Sequence, residues 1–281
     1  DKTSKTKSIS THIVAAILAL IVCGIVIVAI TKQNPIDVYE GIIDGAIGTK
    51  RRILVTVRET VILLLIAVGL TPAFKMRFWN IGAEGQILVG GLASAAVMIY
   101  LSNFLPNGVL IPLMILSSIL AGMLWGFIPS VFKAHYNTNE TLFTLMLNYV
   151  AMQMVTFCVI FWENPAGSNS VGIINGETKK GWFPELFGNS QWLCVLIVLA
   201  ITVGMFIYMK YSKQGYEISV VGESEHTAKY IGISVNKVII RTVMLSGAIC
   251  GLAGALIVGG SSHTISTSTA GGRGFTAIIV A

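Results

Sequence analysis

The chain has 281 residues, 54% of them hydrophobic and 11% charged, with a formal net charge of +6. So few charges exclude a water-soluble globular domain, whose residues are charged roughly twice as often, and uncharged runs of 18 residues or more read as membrane spans. The surplus of Lys and Arg is scattered between apolar runs and forms no dense patch with interleaved aromatics, so it points to membrane orientation and away from nucleic acid.

Ile13 to Ile30 is the first expected span. Lys2, Lys5 and Lys7 before it predict a cytoplasmic amino-terminus, and Asn34-Pro35 ends it. No small-residue cleavage site directly follows, so the run reads as a span and not as a signal peptide. Residues 36–52 mix small apolar residues with Asp37, Glu40, Asp44, Lys50, Arg51 and Arg52, which fits an amphipathic surface helix or a soluble external connection. Ile53 to Thr71 is the second span, interrupted by Arg58 and Glu59 and expected to end or kink at Pro72, which has no N–H to donate. Lys75 and Arg77 follow on the inner side.

The next stretch, Phe78-Trp-Asn-Ile-Gly-Ala-Glu-Gly-Gln-Ile-Leu-Val-Gly-Gly91, holds Asn80, Glu84 and Gln86 within seven positions and runs into 48 uncharged residues, Gly85 to Phe132. As a helix that run would measure about 70 Å against a hydrocarbon core of about 30 Å, so it must turn once. Asn103, Pro106, Asn107-Gly108 and Pro112 mark the turn, giving spans near 85–102 and 109–131. The polar cluster therefore lies at a membrane face or at a break inside the bundle, and counting spans puts it toward the inner end. Burying Glu84 without partners is costly, so it should be either wet or hydrogen-bonded to the N–H groups around Gly82 and Gly85. Asn80, Glu84 and Gln86 either tie a helix break together or touch a substrate.

Lys133 to Glu140 is a short polar connection in which Thr138 or Asn139 caps the next span, Thr141 to Trp162. That span carries Asn148, Tyr149 and Gln153, and Asn148 reads as an interhelical hydrogen bond or as pathway lining. Residues 163–189 are rich in Gly and Asn and form an expected external loop, with Trp182 and Phe183 at headgroup level. The sixth span covers about 190–209, with Trp192 near one end and Tyr208, Lys210 and Tyr211 at the other as interface anchors. Residues 210–237 are the longest internal polar segment. In it Ser224 can cap a short helix holding Ala228 and Tyr230, which Gly232 ends. Such a helix would offer Glu223, Glu225, Lys229 and Tyr230 to a partner's groove; the alternative is a plain connector.

The seventh span, Val238 to Gly259, contains Gly247, Gly251 and Gly254, which permit close helix contact in lipid. Gly260 to Thr269 is rich in Ser and Thr, Gly271 to Gly274 is a flexible turn, and the apolar run Phe275 to Ala281 is expected to continue as a further span past the last residue. On this count eleven basic residues lie inside and eight outside, which favours the inward amino-terminus.

No arrangement for catalysis is present in the sequence. His12, His135, His226 and His263 are far apart, and Cys23, Cys158, Cys194 and Cys250 each sit alone in an apolar run. There is no metal-ligand spacing, no GxSxG and no P-loop. ATP-driven transport by this chain would need a separate hydrolysing subunit. An ion-coupled secondary transporter would need ionisable groups at mid-membrane, and beyond Arg58 and Glu59 essentially none exist.

Asn80-Ile-Gly-Ala-Glu-Gly-Gln86 with Gly90-Gly91, the Thr144-Leu-Met-Leu-Asn-Tyr149 segment, and the Gly222 to Ile233 connector leading into Leu245 to Ala255 together resemble the permease subunits of bacterial ABC importers for nucleosides and simple sugars. These belong to the branched-chain amino acid and ribose permease superfamily; the nucleoside branch is the nearest, and the likeness covers about residues 13–281. The resemblance implies an all-α polytopic bundle of two parallel repeats in the bacterial cytoplasmic membrane, with about seven full spans and the start of another here, and residues 210–237 as a cytoplasmic coupling loop. It implies a pore made with a second permease subunit, identical or paralogous, and two ATP-binding subunits that hold ATP and Mg, this chain binding no cofactor or metal itself. A substrate-binding lipoprotein or periplasmic protein would deliver the small-molecule substrate. Glu223, Glu225, Ala228, Lys229, Tyr230 and Gly232 fall on the family's coupling helix, although Glu225 stands where Asn or Pro is usual and His226 is atypical. The implied function is nucleoside import; ribose, galactose or another sugar is the alternative substrate.

Overall fold

The computed structural model describes residues 2–185 and 191–281 and divides the chain into two compact units, Asp1–Val57 and Arg58–Ala281. The first unit holds α1 (Lys2–Thr31), α2 (Pro35–Ile47) and the first turns of α3 (Lys50–Lys75). The α1 helix begins well before its apolar stretch and takes in Lys2, Lys5 and Lys7; Ile13–Thr31 is the part long and apolar enough to cross a membrane. Asn34 caps α2 by accepting from the Ile36 N–H at 3.1 Å, and Pro35 fills a first-turn position where no N–H is needed. The Tyr39 hydroxyl then donates to the Leu20 carbonyl at 2.6 Å, holding α2 to α1.

The second unit contains the rest of α3, then α4 (Ala83–Leu101), α5 (Asn107–Tyr136), α6 (Glu140–Trp162), α7 (Gln191–Tyr211), α8 (Lys213–Glu223), α9 (Glu225–Tyr230), α10 (Val235–Ile257) and α11 (Arg273–Val280). Among the described residues seven helices are long and apolar enough to cross a membrane: α1, α3, α4, α5, α6, α7, and α10 with the π turn Val258–Ser262 that prolongs it. The fold is thus an all-α polytopic bundle, in which α11 is a short eight-residue helix.

At its centre α10 packs against both α4 and α5. Between helices in lipid there is little hydrophobic driving force, so close backbone approach must supply the attraction. Gly90 of α4 lies so near Gly251 of α10 that an added Cβ would come within 2.5 Å, and Gly122 of α5 meets Gly247 and Gly251 backbone to backbone. The Ser118 hydroxyl donates to the Gly251 carbonyl in the same seam. Leu65, Ile66, Leu70, Ile87, Leu88 and Leu256 close the core around it.

Two local expectations are corrected. The α3 helix does not end at Thr71 but continues to Lys75, because Pro72 falls in its last turn, where only one helical N–H is missing and Met76 bonds back to Pro72 and Ala73 at 3.2 and 3.1 Å. Nor is Phe183 a headgroup anchor: it is buried against Gly259 and Gly260, and the Trp182 ring beside it stacks on His263 at 3.8 Å. The 163–185 segment instead seals one end of the bundle. Asn175 donates to the Met98 carbonyl, Lys180 to the Ser102 carbonyl, and the Phe183 N–H to the Gly259 carbonyl, at 2.9–3.0 Å. The last residues expected in this loop, 186–189, and residue 190 lie outside the described residues.

At the opposite end α8 and α9 lie across the ends of α3, α7 and α10. An apolar cluster joins Ala73, Met76 and Phe78 to Ile218, Val221, Ala228 and Val238, and ion pairs Lys133–Glu140 and Arg241–Glu217, both at 2.9 Å, pin neighbouring helices.

Candidate functional site

Asn80, Glu84, Gln86 and Asn148 are brought together at one buried point where the chain breaks between α3 and α4. Asn148 is the ninth residue of α6 and Ser246, which touches Asn80, is the twelfth of α10. At 1.5 Å per residue these stand about 12 and 17 Å along their helices. The cluster is therefore a buried break inside the bundle, about two to three helical turns from the starts of α6 and α10.

A helix break at that depth exposes backbone groups that no water can satisfy, and side chains take them up. Asn80 Oδ1 accepts from the Gly82 N–H at 3.1 Å, and Thr144 Oγ1 accepts from the Ile81 N–H at 3.2 Å. Asn148 serves both halves of the break: Oδ1 accepts from the Gly85 N–H at 2.8 Å and Nδ2 donates to the Ile81 carbonyl at 2.9 Å. Asn80 Nδ2 donates to Gln86 Oε1 at 3.3 Å and to Ser246 Oγ at 3.2 Å, fastening the break to α10.

Glu84 does not use the amides around Gly82 and Gly85, as the sequence suggested; Asn148 has the Gly85 amide. Its carboxylate instead accepts from the Gly272 N–H at 2.7 Å and the Gly274 N–H at 2.8 Å, at the amino-terminus of α11. A negative charge there pairs with unsatisfied N–H groups and with the positive end of the helix dipole. Gly272 holds φ at +75°, and a Cβ on Gly274 would lie 2.8 Å from the Glu84 Cα, so this turn is a fitted cradle rather than slack chain. Arg273, between them, donates from Nε to Glu59 Oε2 at 2.7 Å, and Glu59 also pairs with Arg58 at 2.8 Å. Glycines cap both α4 and α11, and the two helix starts meet at Glu84.

Sequence reasoning missed Thr144, Ser246, Glu59 and Arg273 as members of this site. For the last two a signal existed: Glu59 is a carboxylate at the edge of an apolar span and Arg273 a cation alone in a glycine turn, opposite charges that each need a partner. Thr144 and Ser246 are small hydroxyl residues in apolar helices and carry no such mark.

The second feature is α9. Ser224 Oγ accepts from the Thr227 N–H at 3.2 Å to start it. At its end the Ile233 N–H bonds to the Ala228 carbonyl at 2.9 Å and the Gly232 N–H to the Lys229 carbonyl at 3.1 Å, with Gly232 at φ +84°. These two bonds form a Schellman closure, which needs the left-handed residue that glycine supplies. Ala228 is fully buried, whereas Glu223, Glu225, His226, Lys229 and Tyr230 are exposed, Tyr230 at 92%. Beside them a cleft of about 420 Å³ is bounded by Arg77, Lys133, Glu223 and His226. Gly222 rests on the Lys75 carbonyl, and Phe78, two residues before Asn80, shares the apolar cluster that buries Ala228. No group of three His, Cys, Asp or Glu capable of holding a metal occurs among the described residues.

A bundle of membrane spans broken at a buried polar knot, with a short capped helix exposed at one end, is the frame of a polytopic membrane protein. The chain belongs to the branched-chain amino acid transport system permease component family, whose model matches residues 52–281. It is thus a permease subunit of an ABC importer, a multi-pass membrane component without catalysis of its own. It is similar to the guanosine ABC transporter permease protein NupP of Bacillus subtilis (strain 168), at 29% identity over 87% of this chain and 71% of the relative. The nucleoside ABC transporter permease protein NupB of Lactococcus lactis subsp. cremoris is 28% identical over 90% of this chain and 71% of its own. The glucose ABC transporter permease protein TsgB13 of Haloferax volcanii is 27% identical over 96% and 73%. No solved structure matches.

Proposed function

We propose that this chain is the membrane-spanning pore subunit of an ATP-driven nucleoside importer in a bacterial cytoplasmic membrane. The nucleoside assignment leans on the similarity to NupP and NupB; the similarity to TsgB13 keeps import of glucose or another simple sugar as the second reading. The amino-terminus and the α8–α9 end face the cytoplasm, as the bias in basic residues favours, and the sealed 163–185 end faces outward. A second permease subunit completes the pore, two partner ATPases bind ATP and Mg at the α9 face, and an extracytoplasmic binding protein delivers substrate.

The observation that carries this reading is the construction of α9: an exposed face of Glu225, Lys229 and Tyr230, beside Glu223 at the end of α8, on a helix closed at both ends and anchored by buried Ala228. A short helix held so firmly moves as a body. Pushed by a closing ATPase, it would load the end of α3 through Gly222 and, through Ile233 and α10, the Ser246–Asn80 contact. Asn80, Glu84, Gln86 and Asn148 then act on the break itself. Their hydrogen bonds go to the protein's own backbone and side chains, which suits setting the packing around the pore better than selecting a substrate.

Replacing Tyr230 and Gly232 should abolish substrate-stimulated ATP hydrolysis by the assembled transporter while the subunit still folds and inserts. Undiminished coupled hydrolysis in that double variant would remove α9 from the coupling path.

A further inference from the structure

A second cleft, of about 450 Å³, lies between α8, the turn that follows α9 and the start of α10. Its walls carry three cations, Lys213, Lys237 and Arg241, against one carboxylate, Glu217. That carboxylate is already engaged, by Arg241 at 2.9 Å and by Lys213 at 4.0 Å. The cleft therefore keeps a positive surplus that nothing on its lining neutralises. Lys213 remains 88% exposed, and the Arg241 Nε–H is buried without a hydrogen-bond partner although the same guanidinium binds Glu217. An orphaned donor on a charged group is costly unless a ligand accepts from it.

The position of the cleft identifies the ligand. Arg241 is the seventh residue of α10, about 9 Å along that span. The neighbouring end of α7 has the make-up of a membrane–water boundary: Lys210 lies over the rings of Phe206 and Tyr211 at 5.3 and 5.4 Å, and Tyr211 and Tyr216 are exposed. Tyr208 bonds Gln214 at 2.9 Å, tying α8 to that boundary. An anion in the cleft thus sits at headgroup depth, where a basic pocket between helices selects an anionic phospholipid.

We propose that the cleft bounded by Lys213, Lys237 and Arg241 is a binding site for a phosphate-bearing group, supplied by an anionic lipid of the adjoining leaflet. The lipid phosphate accepts from the Lys213 and Lys237 ammonium groups beside the Arg241 guanidinium, while its acyl chains follow the apolar flank of α7. Bound there, it braces the α9–α10 junction.

The test is native mass spectrometry of the purified full chain in detergent with phosphatidylglycerol or phosphatidylcholine, repeated on the double variant Lys213→Gln/Lys237→Gln, both of whose side chains lie at the surface. Phosphatidylglycerol should be retained over phosphatidylcholine, and the double variant should weaken that retention roughly thirtyfold, each charge contributing about fivefold at an anionic surface. Displacement by inorganic phosphate would support the phosphate chemistry and assign the source to solution; indifference to it supports the lipid. Equal retention of both lipids, or an unchanged preference in the double variant, overturns the proposal. So does loss only of affinity for an ATPase subunit, which would make these cations a protein-docking patch.

Discussion

Replacing Glu84 by Gln keeps the volume and removes the charge at the one place where α4 and α11 meet. In the native chain both carboxylate oxygens accept from α11 amides, at 2.7 and 2.8 Å. An amide side chain offers one acceptor and turns an NH₂ toward the other glycine N–H. One charge-assisted bond becomes a neutral one and the other becomes a donor facing a donor, in a site that is 3% exposed. Charge-assisted bonds contribute about 1.5–3 kcal/mol and an orphaned buried donor costs about 1–3 kcal/mol, so the start of α11 should lose about 2–4 kcal/mol of local stability. Amide hydrogen exchange reads this directly, since local opening follows local free energy. Exchange across residues 272–280 should rise roughly 30- to 1,000-fold at a tenfold change per 1.4 kcal/mol, while α5 and the middle of α10 keep their protection. Glu84→Asp, one methylene short, should fall between. Unchanged protection at 272–280, or an equal loss throughout the bundle, would refute the assignment of Glu84 as the clamp on α11.

Gly251→Ala should lower the thermal midpoint of the purified subunit by an amount matching about 1–3 kcal/mol, because the new methyl meets the backbone of Ser118 and Gly122, which cannot rotate away; a midpoint within error of the native one would contradict the close seam. His263, one residue past the α10 span, has its imidazole held below its usual range by burial, opposed by a weaker backbone contact to Val258. With the folded value depressed, its contribution is complete above the unfolded value of about 6.5 and is lost as pH falls through the folded one. The midpoint of the native chain should therefore drop between pH 7.5 and 5.5, and His263→Phe, which keeps a ring on Trp182, should flatten that drop; an equal drop in both chains would exclude His263 as the cause.

Much of the bundle is legible in the sequence because the bilayer imposes length on apolar runs. The 48 uncharged residues after Glu84 had to turn, and they do, between Leu101 and Asn107. The α9 helix was equally readable: a Ser cap and a terminal Gly are local chemistry, decided by residues within a few positions. What could not be read is long-range backbone bonding. Glu84 finds its donors at Gly272 and Gly274, 188 and 190 positions away, and every non-proline residue carries such an N–H, so no residue type announces it. The partners of the break were hidden for the same reason, since Asn148 and Ser246 come to it from other helices. Phe183 in a Gly-rich loop resembled an interface aromatic until Gly259 and Gly260 were seen to leave it a slot.

A pore built on this chain should move a nucleoside at the expense of ATP. The most direct measurement of this is uptake into proteoliposomes containing the chain with its partner permease, ATPase and binding-protein subunits, comparing labelled guanosine with labelled glucose. Guanosine should accumulate against its gradient only when ATP is present. ATP-dependent accumulation of glucose without guanosine, or guanosine uptake driven by an ion gradient with no need for ATP, would contradict it.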